Sequence, residues 1–260
     1  MLRSIAFTIA FYLTTVLMLV GGIWLLVAPR SWAMRGLWLH GKICTWLLKV
    51  ICGTKLEVRG QEMVPEGACL VVAKHQSAWD TFALIPLFRD PAIVLKAELR
   101  WIPVYGWFCQ KFEHILVERA RAAVSLKGMV TDARERAAEG REIVIFPEGT
   151  RRVPGAAPDY KPGYVALYEG LQLPCVPVAL NSGLFWPRRH WRRYPGTIVV
   201  EFLEALPAGL PRTEFRRTVE ARIEDACARL IDEAMHSVPA PPAPLDEPSM
   251  HAKLDQKENQ

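Results

Sequence analysis

A histidine and an aspartate with four residues between them, His75-Gln-Ser-Ala-Trp-Asp80, close the stretch Ala68-Cys-Leu-Val-Val-Ala-Lys74, which has the apolar run of a buried strand. Histidine titrates near neutral pH, so an imidazole at a strand end can take a proton from a weak nucleophile. Asp80 fits the second half of such a device. A carboxylate that accepts a hydrogen bond from Nδ1 fixes the tautomer and leaves Nε2 free. A plainer reading competes with this one. Ser77 and Asp80 have the spacing of a capping box, with Ser77 at the N-cap and Asp80 at N3 of a following helix, and a lone histidine is more often a satisfied, partly buried side chain. These six residues alone leave both readings open, and for Asp80 the two are compatible.

A second segment, Ile143-Val-Ile-Phe-Pro-Glu-Gly-Thr-Arg151, is an apolar strand that breaks at Pro147 and turns at Gly149. Glu148 and Arg151 emerge beyond the break, and Arg152 follows. Paired guanidiniums at a strand end suit bidentate capture of a phosphate; a turn with a surface ion pair is the alternative.

Together the two segments resemble the glycerolipid acyltransferases, most closely the bacterial 1-acyl-glycerol-3-phosphate acyltransferases. The histidine box appears as His75 to Asp80, and the Phe-Pro-Glu-Gly-Thr-Arg block appears complete as Phe146 to Arg151. Two weaker blocks have counterparts in LKAELRWIPVYGW with HILVERA, and in LPCVPVALN. The resemblance covers roughly residues 55–205, in family order. Lys74 stands where asparagine is common, Glu118 where aspartate is common, and Arg152 where serine is frequent.

The resemblance implies that His75 deprotonates the hydroxyl of a lysophospholipid as it attacks an acyl thioester, with Asp80 orienting the ring. It makes Lys96, Arg119 and Arg151 the candidates for the acceptor phosphate. Glu148 and Gly149 would shape the acceptor pocket with help from Thr150, and Lys161 is a weaker candidate. Ser77 is given a capping role, because no G-x-S-x-G elbow marks it as a nucleophile. The co-substrate is acyl-carrier protein or coenzyme A carrying the acyl group. Without a metal-ligand cluster or a Gly-rich nucleotide loop, no bound cofactor and no metal are expected. Acylation of another lyso-lipid, such as a lyso-ornithine lipid, keeps the chemistry and changes the acceptor. A thioesterase lacks its elbow, and a non-catalytic lipid-binding protein would not need the intact His-Asp pair.

These residues need a scaffold. Runs rich in Val, Ile and Leu at 56–60, 69–74, 92–96, 114–118, 142–146, 175–180 and 197–203 predict strands, and 78–88, 120–139, 162–171 and 213–235 predict helices. Their alternation predicts an α/β fold, a mixed central sheet flanked by helices with its sites at strand ends. Residues 1–53 are expected to form a two-helix membrane anchor, one helix hydrophobic and one amphipathic, 54–237 the catalytic domain, and 238–260, proline-rich and then polar, a disordered tail.

No charge interrupts Ser4–Pro29, a run long enough to span a bilayer and longer than the apolar core of a signal peptide. Arg35, Lys42 and Lys49 recur every seven residues among tryptophans and aliphatics, the pattern of a helix lying in a membrane interface. The basic residues that follow the first apolar run place the domain on the cytoplasmic side, at the inner membrane of a bacterium. Net charge is +5, which suits an anionic bilayer or a phosphate substrate. The basic-aromatic stretch Leu184–Tyr194 is read as facing lipid or a carrier protein rather than nucleic acid. The six cysteines are scattered without paired spacing, which argues against a disulfide framework or a zinc site.

Overall fold

The computed structural model describes residues 1–118 and 122–244, with the side chains of 122–125 left out of account. Seven strands form one sheet: β1 (Thr54–Arg59), β2 (Leu70–Ala73), β3 (Ala92–Lys96), β4 (Ile115–Val117), β5 (Ile143–Ile145), β6 (Cys175–Leu180) and β7 (Gly196–Phe202). Their order is β1-β7-β6-β2-β5-β3-β4. All neighbours are parallel except β6 and β7, so the sheet is mixed, as expected.

Both faces of the sheet are covered, which is why its strands read as continuous apolar runs instead of alternating ones. Val71 and Ala73 of β2 face a core shared with α1 (Leu2–Gly21), α2 (Arg30–Leu47) and α3 (Asp80–Ala83). Leu70 and Val72 face the opposite core, with α5 (Ala122–Ala138), α6 (Gly163–Leu171) and α8 (Arg212–Met235). Two short helices, α4 (Tyr105–Lys111) and α7 (Ser182–Phe185), follow β3 and β6.

The segment expected as one helix over 78–88 is broken. It comprises α3 and then a separate 3-10 turn, Ile85–Leu87. Pro86 brings no N–H to the turn and cannot continue an α-helical ladder. The capping box is only half formed. Asp80 does accept from the Ser77 N–H at 2.9 Å, but α3 begins at Asp80 itself, and the Ser77 hydroxyl accepts from the Trp79 N–H at 3.1 Å. Residues 245–260 of the expected tail lie outside the described residues.

The uncharged N-terminal run does not continue as one helix to Pro29. α1 stops at Gly21, a 3-10 turn follows over Ile23–Leu26, and α2 runs back alongside, its last turn widened over Leu48–Cys52. The Cys52 thiol meets the Arg3 carbonyl and Thr15 Oγ1 lies 3.0 Å from His40 Nε2, which fixes the pair as an antiparallel hairpin. α1 is long and apolar enough to cross a membrane. It leaves Leu2, Ile9, Leu13, Leu17 and Val20 exposed, while Phe7 is sealed in the core against Trp186. Arg35, Lys42 and Lys49 are exposed along α2 beside Trp38, Trp46 and Val50, and Lys42 Nζ sits 3.5 Å over the Trp38 ring.

Candidate active site

The chain leaves β2 through α3 toward β3 on one face, and it leaves β5 through α6 back toward β6 on the other. Diverging crossovers open a crevice at the carboxyl ends of β2 and β5, the place where α/β sheets bind ligands. His75 stands there. Its Nδ1 lies 2.9 Å from Asp80 Oδ2, and its ring stacks on Phe146 with centroids 4.3 Å apart.

Asp80 is fully buried and answers donors on both oxygens. Oδ2 also accepts from the N–H groups of Gln76 (2.8 Å) and Ser77, and Oδ1 accepts from the Ser182 hydroxyl at 2.5 Å. An acceptor held this way requires Nδ1 of His75 to be the donor, so in the neutral ring Nε2 carries the lone pair and is the nitrogen left for the cavity. Gly183, next to Ser182, is held close: its N–H donates to Gln76 Oε1, and a Cβ at this position would meet Pro154 and Gln76 at under 3 Å.

His75 lines a cavity of about 1230 Å³ that extends from the strand ends to the helical hairpin. Phe11, Met18, Leu19 and Leu25 form the far wall, with Phe82, Ile85 and Phe108 between, so most of its length is apolar. Two other histidines reach it. His40 is engaged by Thr15 within the hairpin. His114 is partly buried; loss of solvent around its ring drives its pKa down to about 3, and its Nδ1 accepts from the Ile93 N–H. Of the three, His75 has the buried carboxylate partner.

Lys96, Glu148, Gly149, Thr150 and Arg151 line the same cavity as His75, so the structure brings these predicted residues together. Arg119 lies outside the described residues. Gly149 has φ of +61°, a left-handed conformation that turns the chain after Glu148. The Arg152 N–H donates to the His75 carbonyl at 2.8 Å and ties the two motifs together. Lys161 also lines the cavity, with its ammonium on Asp159. Glu148 is not a free ligand: Oε1 accepts from Lys74 Nζ at 2.9 Å, and both side chains are buried.

No sequence motif assigns Ser182, Arg188 or Arg189 to the site. Arg188 and Arg189 stand on the cavity wall, and Arg188 Nη1 donates to the Arg151 carbonyl at 2.7 Å. Burial, then Arg188 and Arg189, lower the Arg151 pKa, while Asp80 opposes them. The basic-aromatic pattern of 184–194 was the available signal. The pattern points to a surface for lipid or a carrier protein, and its first two arginines line the cavity. Among the described residues no group of three or more His, Cys, Asp or Glu side chains is placed to hold a metal ion, and all six cysteines are buried and unbridged.

A family model described as Acyltransferase matches residues 55–181. Over 193 residues the chain is 36% identical to a 1-acyl-sn-glycerol-3-phosphate acyltransferase of Pseudomonas aeruginosa, covering 73% of this chain and 75% of that protein. This chain belongs to the acyltransferase family. A 1-acyl-sn-glycerol-3-phosphate acyltransferase of Limnanthes alba is 28% identical over 209 residues, 80% of this acyltransferase and 72% of the plant protein. The crystal structure of the 1-acyl-sn-glycerophosphate acyltransferase of Thermotoga maritima superposes with a TM-score of 0.75 at 23% identity, covering 88% of this chain and 96% of that one. The fold is therefore shared over most of the chain.

Proposed function

We propose that this acyltransferase moves a fatty acyl group from a thioester of acyl-carrier protein or coenzyme A to the 2-hydroxyl of 1-acyl-glycerol-3-phosphate, forming phosphatidic acid. The observation that carries the reading is the buried His75–Asp80 pair opening into an apolar cavity with Arg151 on its wall, in a chain whose curated relatives are named for that reaction. Nε2 of His75 takes the hydroxyl proton as the oxygen attacks the thioester carbonyl. The imidazolium, balanced by Asp80, returns that proton to the departing thiolate as the tetrahedral intermediate collapses, so an ester and a free thiol result. No covalent acyl-enzyme is formed.

Arg151 takes the acceptor phosphate, supported by Lys96, Arg119 and the Arg188–Arg189 pair. The exposed apolar side of α1 and the basic, tryptophan-bearing side of α2 seat the hairpin in the cytoplasmic leaflet of the inner membrane, so that lipid substrates reach the cavity without crossing water. The test is acyl transfer by the detergent-solubilised protein, with lysophosphatidic acid, lyso-ornithine lipid and lysophosphatidylcholine in parallel and His75→Ala as control. Product with lysophosphatidic acid that the variant abolishes supports the reading. Product with another acceptor alone overturns the substrate, and full activity of His75→Ala overturns the mechanism.

A further inference from the structure

Lys74 and His75 are neighbours in sequence and point to opposite faces of the sheet, as consecutive residues at a strand end do. On the cavity side His75 rests on Phe146. On the other side the Lys74 ammonium, 2% exposed, is held 2.9 Å from Glu148 and 2.6 Å from Glu224 of α8. The Tyr160 hydroxyl donates to Glu224 at 2.8 Å, and the Tyr160 ring lies 5.4 Å below Nζ. Glu224 is one-quarter exposed, so it links the buried pair to solvent.

An ammonium removed from water costs several kcal/mol unless it is paired and hydrogen-bonded. Here burial works against the charge, and Glu148 and Glu224 outweigh it, raising the Lys74 pKa. Burial pushes the Glu148 carboxyl up, Glu224 adds to that, and Lys74 opposes it. Among the described residues the titratable groups around this cluster are Lys74, Glu148, Glu224, Tyr160 and the Cys227 thiol. Glu148 begins the turn that presents Gly149, Thr150 and Arg151 to the cavity. Glu224 lies beyond residues 55–181, the span of the family model.

We propose that Lys74 is a positioning residue for the acceptor site. Its ammonium clamps Glu148, and with it the Arg151 turn, to the end of β2, and Glu224 of α8 is the clamp's second anchor. The inference rests on the acceptor reading above. Its consequence is that Lys74 acts through Glu148 and has no effect of its own on chemistry.

The experiment measures steady-state transfer for wild type, Lys74→Met, Glu148→Gln, the double variant and Glu224→Gln, varying acceptor and donor separately, with thermal unfolding of each. Removing Lys74 alone is expected to lower kcat/KM for the acceptor by about 100-fold, the scale of a misplaced binding group, with donor KM unchanged. Adding Lys74→Met to Glu148→Gln is expected to cost less than about threefold further, because residues acting as a unit are non-additive. Glu224→Gln is expected to give a smaller rise in acceptor KM alone. If Lys74→Met fails to fold, Glu148→Gln against the double variant decides, since the double replaces a buried ion pair with neutral groups. A further tenfold loss in the double, or equal loss for donor and acceptor, overturns the proposal. A wild type that acylates none of the lyso-lipids would sink the acceptor reading instead; a double variant that melts above Lys74→Met would then support the clamp, and one that melts no higher would overturn it.

Discussion

Asp80→Asn separates the two services that the carboxylate performs for His75. An asparagine oxygen in the place of Oδ2 keeps the bonds from Gln76 N–H, Ser77 N–H and His75 Nδ1, now at 2.8, 2.9 and 2.9 Å. Its amide group then faces Ser182 Oγ, a hydroxyl that can rotate from donor to acceptor. Tautomer and ring position therefore survive, and the melting temperature should stay within a few degrees of wild type. What disappears is the negative charge beside the imidazolium that forms during transfer. At roughly 4 Å between charge centres and an effective dielectric of about 20, that attraction is about 4 kcal/mol. At about 1.4 kcal/mol per tenfold, single-turnover transfer should slow about 10³-fold. Acceptor KM should hardly move, because the histidine is neutral before the proton shifts. The assay is single-turnover transfer of a labelled acyl group from thioester to lysophosphatidic acid, beside Asp80→Ala, which should also unfold at lower temperature because it strands the four donors that meet the carboxylate. A rate within tenfold of wild type for the folded asparagine variant would mean that no cation forms at His75, and general-base catalysis by this residue would be wrong.

Arg151→Lys replaces a planar fork with a point charge, so about 1.5–3 kcal/mol of charge-assisted bonding should go; acceptor KM rises on the order of tenfold or more while donor KM holds, read from initial rates. Gly183→Ala puts a methyl 2.7 Å from Pro154 Cγ and 2.9 Å from Gln76 Cβ. Overpacking there should cost about 1–3 kcal/mol and disturb the turn that seats His75, so denaturant melts and activity should fall together. Phe7→Ala empties a fully buried site against Trp186 and should destabilise the whole domain by about 3–5 kcal/mol. An unchanged unfolding midpoint would show α1 to be a detachable anchor.

The strands were legible because a sheet covered on both faces needs apolar runs, and all seven expected runs are strands. The His75–Asp80 bond was legible because it is local: five residues of chain fold one carboxylate back onto the preceding strand end. Ser182 was not. It reaches Asp80 across 102 residues, and only the pairing of β6 with β2 brings it there. Glu224 has the appearance of any acidic residue on the polar side of an amphipathic helix, and nothing in the pattern of α8 distinguishes it from Glu220, which pairs with Arg216 at the surface. The two N-terminal helices were legible, because an uncharged apolar run gives way to one with a basic stripe. That they fold back on each other was not, since hydropathy reports how much of a segment avoids water and not its direction.

The alternation of β2 also explains how one strand end can serve lipid chemistry and carry two opposed charges. Leu70, Val72 and Lys74 look toward α6 and α8, and Val71, Ala73 and His75 look toward the hairpin. On the second side the hairpin part of the cavity wall is apolar, as an acyl chain requires, and a formal charge there would face hydrocarbon, while Lys96, Arg151, Arg188 and Arg189 supply charge elsewhere on the lining. The charges that hold the turn after β5 therefore lie on the other side of the sheet, where Tyr160 and the partly exposed Glu224 can satisfy them. A shift of one residue in the register of β2 would exchange the two sets. His75 would then sit among the carboxylates and Lys74 would face the lipid cavity, which is why the β2–β5 and β2–β6 pairings are as much a part of the site as the side chains they carry.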